Sequence, residues 1–126
     1  MLNKPRILIA SPASAASNNG NWQTAQRWAH FLEPQYHVEI ARDWDHASNP
    51  PDLLIALHAR RSADAVAACA AAGRPCILVL TGTDLYRDIR HDDDARRSLQ
   101  LAQHLVLLQE AGLAELPVQL HARTRV

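Results

Sequence analysis

The segment Asp52-Leu53-Leu54-Ile55-Ala56-Leu57-His58-Ala59-Arg60-Arg61-Ser62 passes from a continuous apolar run to a polar, cationic loop at one residue. A short unbroken apolar run bounded by turn residues suits a strand buried on both faces, as in a parallel sheet, rather than a half-exposed strand, which would alternate. Two other runs read the same way, Arg6-Ile7-Leu8-Ile9-Ala10 and Cys76-Ile77-Leu78-Val79-Leu80. Tyr36-His37-Val38-Glu39-Ile40 alternates, and residues 104–108 supply a fifth strand. Between them Trp22, Ala25, Trp28, Ala29 and Leu32 recur at helical spacing until Pro34. A second helix is predicted over 62–72, with Ser62 as N-cap, Asp64 in its first turn, Gly73 as a left-handed C-terminal cap and Pro75 barring continuation. Asp92, Asp93 and Asp94 open a third helix near Leu99, where acids favour the positive end of the dipole. Residues 110–116 read as a short helix ended by Pro117, with 118–120 and 124–126 as short strands.

Strands separated by helices imply crossover connections and a parallel sheet covered on both faces. The fold class is therefore α/β, a doubly wound Rossmann-like parallel sheet in one domain spanning residues 1–126, with strand order 3-2-1-4-5 expected. Ligands of such sheets bind outside the carboxyl ends of the strands where the winding reverses, which this order puts between strands one and four. The walls would be the loops 11–21 and 81–91, with the loop after strand three two strand spacings from strand one, roughly 10 Å.

Composition narrows the function. The 126 residues carry 13 Lys+Arg against 13 Asp+Glu, and the cations alternate with acids (Arg42-Asp43, Arg87-Asp88) instead of forming a basic stripe, which argues against nucleic acid. The longest apolar run, 65–73, is half of what a membrane span requires and is dominated by Ala. The short run Ile7 to Ala10 reads as a strand and not as the core of a signal peptide, so a cytoplasmic location is expected. Cys69 and Cys76 have no C-x-x-C spacing and are expected to be reduced, buried thiols. The histidines form no H-x-x-x-H pair and the three consecutive acids diverge around a helix, so no metal is expected.

Three polar loops hold the candidate chemistry. Asn18, Asn19, Gly20 and Asn21 precede a helix, where unpaired N–H groups and the dipole favour an anion, although a cap and a turn account for them equally. This is neither a G-x-G-x-x-G fingerprint nor a P-loop. Arg60 and Arg61 follow a buried strand at a helix start, where cations are mildly unfavourable and therefore invite an explanation; an Arg fork there would hold two oxygens of a phosphate-like group. His58 reads either as a hydrogen-bonded core residue or as part of the site. Thr81, Gly82, Thr83 and Asp84 bring hydroxyls, a permissive Gly and a carboxylate to the same edge, followed by Tyr86 and Arg87. Asp84 either orients a substrate or caps the next turn.

Three segments together carry a resemblance: Gly20-Asn21-x-x-Thr24-Ala25-x-Arg27-Trp28-Ala29, Leu54-Ile55-Ala56-Leu57-His58-Ala59-Arg60-Arg61-Ser62, and Leu80-Thr81-Gly82-Thr83-Asp84-Leu85-Tyr86-Arg87-Asp88. Together they resemble the N-terminal half of the selenosugar synthases of selenoneine biosynthesis, which are glycosyltransferase family 4-like enzymes of GT-B architecture. The resemblance covers nearly the whole chain and departs at Trp22, where a basic or small residue is expected. It implies an acceptor-side domain whose partner, a C-terminal nucleotide-sugar domain, is absent from this chain, so that the chain alone should not transfer sugar. It further implies attack by selenophosphate on the anomeric carbon of a UDP-sugar, with UDP-N-acetylglucosamine as the expected donor and no cofactor. Asp84 is then an orienting residue, and the loop residues grip the acceptor.

The competing class is a non-catalytic or flavodoxin-like module that binds a small anion. A receiver domain fits poorly, since strand one lacks a following acidic pair, strand three ends on His58 rather than Asp, and Gln109 stands where a Lys is needed.

Overall fold

The computed structural model describes residues 4–11, 20–41, 50–82 and 84–126. The strands are β1 (Arg6–Ala10), β2 (His37–Ala41), β3 (Leu53–Leu57), β4 (Cys76–Leu80), β5 (His104–Leu107) and β6 (Thr124–Arg125), all parallel in one sheet of order β2-β1-β3-β4-β5-β6. The helices are α1 (Gly20–Leu32), α2 (Ala63–Ala71), α3 (Ile89–His91) and α4 (Asp93–Leu101). A π-helical turn, Asp84–Asp88, leads into α3, and two 3-10 turns, Glu110–Glu115 and Val118–Arg123, precede β6.

The two faces of the sheet carry separate cores. On one, Ile7, Ile9, Ile55, Leu57 and Val79 pack with Ala25 and Ala29 of α1. On the other, Leu8, Ala10, Leu54, Ala56, Leu78, Leu80, Leu105 and Leu107 pack with Val66 and Cys69 of α2 and with Ala95 and Leu99 of α4. The small residues of the helices (Ala25, Ala29, Ala65, Ala95) let the backbones approach the sheet closely.

The doubly wound α/β class holds, but the expected order 3-2-1-4-5 does not. β3 lies between β1 and β4, pairing Leu8 with Leu54 on one side and Leu54 with Cys76 on the other. Burial explains the difference. Four of the five residues of β3 are buried, whereas β2 exposes His37 and Glu39 and buries no residue fully. An interior strand must be apolar on both faces, so the alternating β2 takes the edge and β3 the interior. The winding therefore reverses between β1 and β3. The loop after β3 adjoins β1 directly, one strand spacing closer than expected.

Local readings hold in part. Gly73 (φ 72°) ends α2: its N–H bonds to Ala70 O at 3.0 Å and the Arg74 N–H to Cys69 O at 3.1 Å, the paired bonds of a Schellman cap. Asp92 caps α4 by accepting the Ala95 N–H at 2.9 Å, which gives the acidic run its role. Ser62 stands at the start of α2 yet does not cap it. Its hydroxyl donates back to Leu57 O at 2.6 Å. Residues 118–120, expected as a strand, lie in a 3-10 turn, because Pro117 opens that turn and the Leu120 N–H bonds to Pro117 O. Both cysteines are free and buried, and burial pushes the Cys69 thiol up and the Cys76 thiol up to about 12, so neither is a thiolate at neutral pH. No described helix is long and apolar enough to cross a membrane.

Candidate functional site

The loop between β3 and α2 begins at His58, the sole non-glycine residue with positive φ (80°) among the described residues. His belongs to the few side chains that visit this region with some frequency, and the local bonds show what holds it there. The His58 N–H still pairs with β4, on Val79 O at 2.9 Å, so the strand ends under full registration before the chain turns. The ring is 3% exposed and folds over its own loop, and Nδ1 accepts the backbone N–H groups of Arg60 (3.3 Å) and Arg61 (3.1 Å). Nδ1 is therefore unprotonated and the proton of the neutral ring sits on Nε2, 3.7 Å from Asp88 Oδ2.

The loop after β4 is tied to this one by two carboxylates. Asp84 is fully buried, with Oδ1 accepting the N–H groups of Thr81 (3.0 Å) and Gly82 (2.9 Å) and Oδ2 accepting that of Ala59 (2.9 Å). Gly82 at φ 152° supplies a backbone conformation that side-chain-bearing residues rarely adopt, which aims both amides at one oxygen. Four residues on, Asp88 is 6% exposed and accepts Arg60 Nε at 3.0 Å and Arg87 Nε at 3.3 Å on separate oxygens. Burial would push the Asp88 carboxyl up, but the hydrogen bonds and charges of Arg60 and Arg87 outweigh it and hold it below the usual carboxylate range. His58 also lies below its usual 6.5, but here burial is what lowers it, and this exceeds the pull of Asp84 and Asp88 toward the charged form.

The sheet thus brings His58, Arg60, Arg61, Thr81, Gly82, Asp84 and Arg87 to one edge. The Arg61 side chain is exposed and makes no hydrogen bond or ion pair among the described residues, and that of Arg87 is 65% exposed. Asp84, expected to orient substrate, has both oxygens occupied by backbone amides, so it fixes the loops to each other. Gly20 and Asn21 lie inside the first turn of α1, which corrects Asn21 as a candidate cap. Asn18, Asn19 and Thr83 lie outside the described residues. Asp88 was not among the expected site residues; its i, i+4 spacing from Asp84 was the available signal, since that spacing puts two side chains on one helical face.

A cavity of about 160 Å³ opens beside the network, lined by Thr81, Gly82 and Tyr86 with Leu108 and Gln109. Two larger cavities lie elsewhere, about 410 Å³ at Arg6, His37 and Glu39 and about 480 Å³ at Leu99, Pro117 and Leu120, and neither includes a residue of the network. No group of three or more potential metal ligands occurs among the described residues. No protein-family model matches the chain and no curated protein matches it, so the geometry carries the functional argument.

The edge is cationic toward solvent. Three guanidinium groups face two carboxylates, and both carboxylates are buried while Arg61 and Arg87 are exposed. Asp88 also answers for one of the two cations at the start of α2: Arg60 is neutralised by a buried acid of the neighbouring loop. The first turn of α2 receives no side-chain cap, so its N–H groups add to the positive potential near Arg61.

Proposed function

We propose that this domain binds the acceptor in a cytoplasmic glycosyltransferase that joins selenophosphate to a UDP-sugar, UDP-N-acetylglucosamine being the expected donor. The observation that carries the reading is Arg61, exposed and without a side-chain partner among the described residues, beside Arg60 and Arg87 at the carboxyl edge of the sheet. Guanidinium groups bind phosphate-type oxygens through paired N–H donors, which leaves the selenium, a poorer hydrogen-bond acceptor, facing outward. In this reading the anionic selenium attacks the anomeric carbon, a C–Se bond forms, the C–O bond to UDP breaks, and UDP leaves with the electron pair. Water then cleaves the Se–P bond, giving the selenosugar and phosphate. The nucleophile arrives already ionised, so no strong base is required. In this reading the UDP-sugar is held by a second domain of the same enzyme.

The test is a titration of the chain with selenophosphate under anaerobic conditions, and with the more stable thiophosphate, followed by phosphorus NMR. Saturable binding is expected, weakened about tenfold in Arg61→Ala by loss of a charge-assisted contact, with thermal stability unchanged. Absence of binding by both anions, or a dissociation constant within twofold of wild type in Arg61→Ala, would overturn the reading.

A second reading has one observation in its favour. The order β2-β1-β3-β4-β5 within the sheet is the one that flavodoxin-like domains use to bind a flavin phosphate at the β1/β3 reversal. Titration with FMN decides it: quenching of flavin fluorescence at stoichiometric protein supports this module over the transferase domain.

A further inference from the structure

His58 is the one imidazole of the network, buried and bonded to the backbone of both candidate anion ligands. We propose that His58 is a positioning residue that holds Arg60 and Arg61 in their anion-gripping arrangement only while its ring is neutral. The proposal rests on the anion-site reading above for its functional consequence, but the latch itself is a property of the loop.

Two N–H groups converge on Nδ1, which has a single lone pair to offer. A proton added at Nδ1 would face both of them, so the two amides must swing away, and the guanidinium groups they carry move with them. The strained left-handed backbone at residue 58 then loses the contacts that offset it. Among the described residues, the charged groups that act on the ring are Arg60 and Arg61 from its own loop and Asp84 and Asp88 from the π-helical turn. The acids favour the protonated ring and the arginines oppose it. Asp88 Oδ2 stands 3.7 Å from Nε2, beyond hydrogen-bond reach of the neutral ring but close enough to attract a charged one, and its bond to Arg60 couples the two movements.

The sign separates this role from a simpler one. A histidine that touched the anion itself would bind it more tightly on acidification. A latch that needs the neutral ring does the reverse, with affinity falling by up to about tenfold per pH unit below the His58 midpoint.

Two measurements on the intact chain test it. Nitrogen NMR across pH 8 to 4.5 locates the His58 midpoint and follows the backbone amides of Arg60 and Arg61. The latch predicts that both amides shift with that midpoint; amides that stay still through it overturn the proposal whether or not any anion binds. Sulfate, which remains a dianion over this range, is then titrated through the same midpoint. Affinity that falls in wild type and stays within twofold in His58→Asn supports the proposal. Asn tolerates positive φ, and its amide oxygen replaces Nδ1 as an acceptor that does not titrate. Affinity that rises on acidification, or that falls equally in both proteins, overturns it. Moving amides without sulfate binding at any pH would support the latch while removing the anion-site reading.

Discussion

Both ends of α2 pass through a residue with positive φ, Gly73 at 72° after the helix and His58 at 80° before it, and the two turns are held by opposite means. Gly73 needs no help. It has no Cβ to strain, nothing lies within 4 Å of where one would stand, and its bonds are the local pair of a Schellman cap. His58 holds the same conformation against a steric cost of about 1–2 kcal/mol, so its surroundings must impose it. They do so through its own ring, which accepts two amides of its loop, and through Asp84, which anchors Ala59 from the next loop. The first turn is a local solution available to any helix. The second depends on contacts 25 residues apart in sequence and arranges the chemistry of the edge.

The sharpest way to break this contrast is to remove the anchor. Asp84→Ala orphans three amide donors in a buried site and is expected to cost about 3 kcal/mol or more in urea unfolding. A cost below about 1 kcal/mol would mean that the His58 turn is as self-sufficient as that of Gly73.

Acid comes next in size and acts on one end of α2 only. The folded-state value of His58 lies below the usual 6.5, so the unfolded chain takes up its proton first as pH falls. The stability contribution is full above about 6.5 and is lost as pH drops from there through the folded value, no more steeply than about 1.4 kcal/mol per pH unit for one group. Asp88, also lowered, adds a second loss below its usual 3.8. Equilibrium unfolding at a series of pH values should show the first decline in wild type and a much shallower one in His58→Asn.

The smallest effect is expected at the other end. Gly73→Ala gains some rigidity in the unfolded chain but meets the left-handed penalty, for a net destabilisation of about 1 kcal/mol that does not change with pH. A pH-dependent cost at Gly73 would show that the two ends communicate through α2.

Much of this was legible in the residues themselves. The apolar runs at Ile7, Leu53 and Cys76, the stop signals Gly73 and Pro75, and the acids opening α4 all act through near neighbours, so their spacing reports them directly. The convergence of the His58 and Thr81 loops was also legible, since parallel strands put all their carboxyl ends on one edge. Two side-chain roles were not. Ser62 has the residue type of a cap, yet its hydroxyl found the Leu57 carbonyl first. Asp84 has the residue type of a catalytic acid, but the Gly82 turn and the Ala59 amide leave it buried among backbone donors.

The sequence alone determined that five apolar or alternating segments would form a covered parallel sheet with polar loops at one end, because hydrophobic periodicity and turn chemistry are local and are decided within a few residues. Tertiary structure alone decided that β3 stands between β1 and β4, that Asp88 joins Arg60 to Arg87, and that His58 turns left-handed beneath two amides. These depend on which segments bury each other and on where a carboxylate escapes water, and both are settled by partners distant in the chain.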